Sequence, residues 1–131
     1  MDLTVGAALV ATGLFAAMAA FQATLAAGAP LGAHVLGGRY SDALPPWFRV
    51  FSGIAAILLL SFACVVLARA GVIGWPVGLT AVLAPAAWVI AGFLVLNTVG
   101  NLASKSRFER TALAATTAVL AVLCGLVALT A

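Results

Sequence analysis

Four long apolar stretches separated by three breaks organise this chain, over residues 3–27, 47–68, 76–99 and 110–130. Each is long enough for a helix to cross a bilayer's hydrocarbon core, which takes about 20 apolar residues. Period-two alternation is missing, and Ala and Leu dominate. Strands of a membrane barrel need only about 10 residues of alternating character, so the pattern predicts helices. The expected fold is all-α: an integral membrane bundle of four transmembrane helices, up-down-up-down, forming a single domain over 1–131.

The three breaks differ in kind. The first, 28–46, carries Gly28, Pro30, Gly32, Gly37, Gly38, Pro45 and Pro46 together with His34, Arg39, Tyr40 and Asp42. The second, 69–75, is short. The third, 100–109, holds Lys105, Arg107 and Glu109, with Arg110 opening the fourth span. Pro85 falls about halfway along span three, where a missing N–H should kink the helix. Lipid offers no hydrophobic drive for helix association, so small residues that permit close approach mark packing faces. Span one shows Thr12, Ala16, Ala20, Thr24 and Gly28 at steps of four, and span four shows Ala114, Ala118, Ala121 and Gly125. These stripes are the expected contacts.

Composition strengthens the membrane reading. The chain is 66% hydrophobic and 7% charged, against about 45–50% and about 25% in soluble domains. The net charge of +3 is too small and scattered for a nucleic-acid footprint. No basic residue precedes the first apolar run, and that run exceeds a signal peptide's short core, so it is read as an uncleaved span. Cys64 and Cys124 form no CxxC or metal spacing and are expected to be small buried hydrophobes. No cofactor or metal is implied.

Charge placement suggests orientation. Arg39, Arg49, Lys105, Arg107 and Arg110 fall on the side of the first and third breaks, and only Arg69 on the other. Cytoplasmic loops carry the Lys/Arg excess. The expectation is a multi-pass protein of the inner (plasma) membrane, with connections 28–46 and 100–109 cytoplasmic and both termini outside. Trp47 and Trp75 then mark opposite surfaces. Trp88, nearer the middle, needs an acceptor for its indole N–H, and the carbonyl freed by Pro85 is one candidate.

The polar residues inside the spans gather at one depth. Gln22 and Thr24 end span one, Ser52 lies one turn into span two, and Asn97, Thr98 and Asn101 end span three. Two readings follow. These groups bond to one another and tie the helices together, or they line a small polar pocket rimmed by Arg49, Arg107 and Arg110. Such a pocket would suit an anionic lipid headgroup or small anion, because guanidinium forks match phosphate and carboxylate. The apolar segment 30–36 of the first connection should lie along the interface, with Gly37-Gly38 forming a turn. No span carries an ionisable side chain in its central part, where proton relays and ion-coupled transporters place one. No catalytic triad or metal cluster is visible.

Gly28-Ala29-Pro30-Leu31-Gly32, Gly37-Gly38, Leu44-Pro45, Arg49 and Ser52, with Gln22 upstream and the block Asn101-Leu102-Ala103-Ser104-Lys105-Ser106-Arg107-Phe108-Glu109-Arg110, form one set of motifs. On that set the chain resembles a family of small bacterial four-helix membrane proteins. The resemblance implies four spans and a concentration of function on the side of both motif blocks, and it brings no activity with it. Pro45-Pro46-Trp47 departs from the family's plainer start of span two.

The leading expectation is a non-enzymatic membrane protein whose cytoplasm-facing polar site takes a lipid headgroup, a small anion or a partner subunit in a larger complex. One alternative is a small transporter or channel subunit working as a homo-oligomer. The other is an intramembrane lipid-modifying enzyme using His34 or Asp42 as acid or base.

Overall fold

The computed structural model describes residues 2–131. It contains four helices long and apolar enough to cross a membrane, making this a multi-pass helical membrane protein. Helix α1 spans Leu3–Ala26 and α2 spans Pro46–Arg69. A 3-10 stretch, Val77–Val82, leads into α3, Leu83–Leu102. A π-helical turn, Glu109–Leu113, leads into α4, Ala114–Thr130. With these leading turns included, the four continuous helical spans are Leu3–Ala26, Pro46–Arg69, Val77–Leu102 and Glu109–Thr130.

Residue chemistry explains where the helices stop. The Asp2 carboxylate accepts from the Val5 N–H at 3.1 Å and caps α1. At the other end Gly28 takes φ +95°, a conformation costly for any side chain bearing a Cβ. The Ala29 N–H then reaches the Thr24 carbonyl, and the Gly28 N–H the Leu25 carbonyl, both at 3.1 Å, so the helix closes in a Schellman motif. Pro46 occupies the first turn of α2, where its missing N–H costs nothing.

Three long-range contacts fix the up-down-up-down order. The Thr4 and Thr130 hydroxyls share a hydrogen bond of 2.6 Å, joining the start of α1 to the end of α4. An Arg69 guanidinium N–H donates to the Ala131 carbonyl at 2.8 Å, bringing the end of α2 to the same place. The Gly37 N–H donates to Glu109 Oε1 at 2.8 Å, joining the first and third connections at the opposite end. The core between them holds Phe15, Val66, Leu94, Leu120, Cys124 and Val127, all fully buried. Phe15, Phe62 and Phe93 stack edge to face with centroids 6.0 and 5.6 Å apart, linking α1, α2 and α3. Thr98 donates to Thr117 at 2.9 Å and ties α3 to α4.

Four sequence expectations change. The stripe Ala16, Ala20, Thr24 on α1 is exposed; the buried face carries Ala7, Ala8, Ala11, Phe15 and Ala19 instead. The face holding Phe15 wins because it fills the space between four helices, which a row of methyl groups cannot. Pro85 sits in the first turn of α3 rather than mid-helix. The backbone meets it by running as a 3-10 stretch upstream, so the proline marks a change of helix type. Cys64 is exposed on the outer surface, whereas Cys124 is buried as expected. Trp88 likewise faces outward.

Candidate functional site

The first and third connections dock on each other and roof one end of the bundle. Connection one folds as two short 3-10 turns, Gly32–His34 and Leu36–Gly38. It crosses itself at Gly32, whose N–H donates to the Asp42 carbonyl at 2.8 Å. A Cβ at Gly32 would collide with that carbonyl oxygen and meet Tyr40 Cβ at 2.9 Å, so only glycine permits the crossing. Leu25, Val35 and Leu44 form a small buried cluster beneath the loop, packed by Phe21, Leu31, Tyr40 and Phe48. The roof therefore has a core of its own.

The seam between the two connections is built from Ser104, Ser106 and Glu109. Ser106 precedes the helical run that opens at Arg107 and leads through the π-helical turn into α4, with glutamate three residues on, which is the spacing of a capping box. Half of that box forms: the Glu109 N–H points to Ser106 Oγ at 3.4 Å. The other half is diverted. The Glu109 carboxylate accepts from Ser104 Oγ at 2.6 Å and from the Gly37 N–H at 2.8 Å, across to connection one. Ser106 Oγ donates to the His34 carbonyl at 2.6 Å. The His34 ring meets Phe108 edge to face at 5.7 Å, and Phe108 packs on Phe21 at 5.4 Å.

Under this roof lies a cavity of about 230 Å³. Its polar lining is Gln22 from α1, Ser52 from α2, Asn97 and Asn101 from α3, and Glu109 at the head of α4. Of the polar layer expected from sequence, Thr24 donates to the Phe21 carbonyl and Thr98 to Thr117, and the other four, Gln22, Ser52, Asn97 and Asn101, come together at the cavity. They do not tie the helices to one another. They line the cavity, and within the layer it is Thr98 that ties helices together, through Thr117. A smaller recess of about 130 Å³ continues inward past Gln22 and Asn97 to Phe62 and Phe93. Outward, the cavity shares Leu36, Asn97, Asn101 and Glu109 with an open groove of about 610 Å³ along α3. That groove runs from Phe93 and Leu96 at its apolar end to Ser104, Lys105 and Glu109 at its polar end.

The expected arginine rim is not assembled there. Arg49 Nε donates to the Ala26 carbonyl at 3.0 Å, and its guanidinium lies against Gly28, so it caps the negative end of α1. Arg110 donates to the Ser104 and Lys105 carbonyls at 3.1 and 2.9 Å. Arg107 is exposed and lines neither cavity nor groove. Of the loop residues, Gly28 terminates α1 and Gly37 receives Glu109. Gly38 turns with φ +77°, and exposed Pro30 sits inside the tight Ala29–Leu31 turn. His34 and Asp42 are exposed, and neither lines the cavity. Among the described residues no group of His, Cys, Asp and Glu could hold a metal ion.

Two features escaped sequence reasoning. Glu109 was grouped with the basic run around it, although the Ser106-Arg107-Phe108-Glu109 spacing carried a capping signal. Leu36 takes φ +50°, the one non-glycine with positive φ among the described residues. That conformation costs about 1–2 kcal/mol, and it holds a residue lining both cavity and groove. Strain retained beside a cavity is a mark of sites under functional constraint. The chain matches no protein-family model, no curated protein and no solved structure.

Proposed function

We propose that this is a non-enzymatic protein of the inner (plasma) membrane that binds a lipid headgroup in the cavity under its docked connections. One observation carries the reading: Gln22, Ser52, Asn97 and Asn101, from three helices, line a shared cavity. Amides that make no hydrogen bond within the protein keep their donors and acceptors for a polar group that enters. The cavity opens to a groove that is apolar at one end and polar at the other, which is the form of a lipid.

The roofed end carries Arg39, Arg49, Lys105, Arg107 and Arg110 against Arg69 at the other, and we assign it to the cytoplasm with both termini outside. A Ser41→Cys variant should react with a membrane-impermeant thiol reagent only after the cytoplasmic face is opened. Reaction in intact cells would reverse the assignment.

The binding test is native mass spectrometry of protein extracted gently from its own membrane. The wild type should carry lipid, and Gln22→Leu with Asn101→Leu should lose it while remaining folded. Equal lipid on both proteins would remove the cavity from the explanation. The catalytic alternative has less support, since His34 and Asp42 stand outside the cavity.

A further inference from the structure

Resting on the headgroup reading above, we infer that the site selects a phospholipid whose headgroup carries a primary ammonium, and disfavours purely anionic headgroups and free anions.

Charge placement is the reason. Glu109 is the one charged side chain lining the inner cavity. Its Oε1 already accepts two hydrogen bonds, from Ser104 Oγ and the Gly37 N–H, which hold the carboxylate in place. A rigidly held carboxylate retains further lone pairs for a donor. An ammonium brings three N–H donors and the opposite charge, and the side-chain carbonyls of Gln22, Asn97 and Asn101 accept the donors that Glu109 leaves. A free anion entering the same space would face a fixed negative charge in a poorly screening surround.

The three arginines that sequence placed around an anion do not line the cavity, and Arg107 is exposed away from it. Arg49 is spent on the end of α1 and Arg110 on two loop carbonyls. Lys105 remains, on the outer groove rather than the inner cavity. Glu109 thus stands where cavity and groove meet, with the Lys105 ammonium on the groove alone and an apolar trough along Phe93 and Leu96. A lipid with a terminal ammonium, an adjoining phosphate and acyl chains meets the three in order: ammonium at Glu109, phosphate toward Lys105, chains along α3. A lipid whose headgroup ends in hydroxyls fills the same space without answering Glu109. A quaternary ammonium keeps the charge and offers no N–H donor.

The test uses the full chain in mixed nanodiscs of phosphatidylethanolamine, phosphatidylglycerol and phosphatidylcholine at equal proportions, with native mass spectrometry of the lipid that stays bound. Wild type should retain phosphatidylethanolamine above both others. Glu109→Gln keeps an oxygen to accept from Gly37 and Ser104 and removes the charge, so the fold should persist. Its preference for phosphatidylethanolamine should fall about tenfold, the scale of one lost charge-assisted hydrogen bond.

Equal retention of all three lipids by wild type, or preference for phosphatidylglycerol, would overturn the ammonium assignment and leave headgroup binding standing. A preference unchanged in Glu109→Gln would overturn the role of Glu109. Displacement of bound lipid by soluble phosphoethanolamine at equal concentration would show that the apolar trough contributes nothing, overturning the lipid as ligand. Wild type retaining no lipid would overturn both this inference and the headgroup reading it rests on.

Discussion

Residues 70–76 link α2 to the 3-10 stretch at one end of the bundle, and that end is closed by direct contacts: Thr4 to Thr130, and Arg69 to the Ala131 carbonyl. At the other end, connections 27–45 and 103–108 fold over each other, with their own buried cluster, and leave a cavity beneath. Both ends belong to helices of similar length in the same apolar composition. What separates them is where the polar side chains point. At the closed end the Thr4 and Thr130 hydroxyls bond to each other, and Arg69 Nε and Trp75 Nε1 are buried without a partner and line no cavity of the kind seen at the other end. At the roofed end amides and a hydroxyl from three helices face a space none of them fills. A bundle that needed only to hold together could have ended the same way twice.

The comparison breaks most severely at Gly32. Gly32→Ala forces connection one away from the Asp42 carbonyl, and we expect a loss of about 2 kcal/mol or more with rapid proteolysis at the roofed end and none at residues 70–76. Limited proteolysis with mass mapping decides between local and global loss. Ser106→Ala removes the cap of α4 together with the bond to His34. It should cost about 1–2 kcal/mol, read as a lower unfolding midpoint in detergent. Thr4→Val removes one hydroxyl pair at the closed end and should cost about 0.6 kcal/mol, without altering lipid retention.

The smallest expected effect is the sharpest. Gln22→Leu should change stability by under about 0.5 kcal/mol or raise it, because the amide has no protein partner to lose. A clear fall in the unfolding midpoint would mean that Gln22 ties helices together after all.

The helix ends carry local, strong signals in the sequence: Gly28, Pro46, Arg69, and the run from Lys105 to Arg110. The shared depth of Gln22, Ser52, Asn97 and Asn101 was legible from helical rise and topology. Which face of α1 turns inward was not. In lipid the outside is as apolar as the inside, so no polar face marks the core, and a row of small residues reads equally well as interior or exterior. Pro85 was misplaced because a 3-10 stretch and an α-helix share the same apolar composition. The rim failed for a different reason. Arg49, Arg107 and Arg110 sit near the cavity in depth, but two of them satisfy nearby carbonyls that carry no sequence signature. The reach of Glu109 to Gly37 spans 72 positions, and nothing in the local Ser-x-x-Glu spacing foretells it.

That reach has a bearing on biogenesis. Chains are made and fold from the N-terminus onward, so connection one leaves the ribosome long before its clasp exists. Gly37 and the His34 carbonyl must wait through the synthesis of α2 and α3 for Glu109 and Ser106 to arrive. The chamber is finished last, and a chain stalled or cut before the fourth helix would hold three membrane segments with no lid.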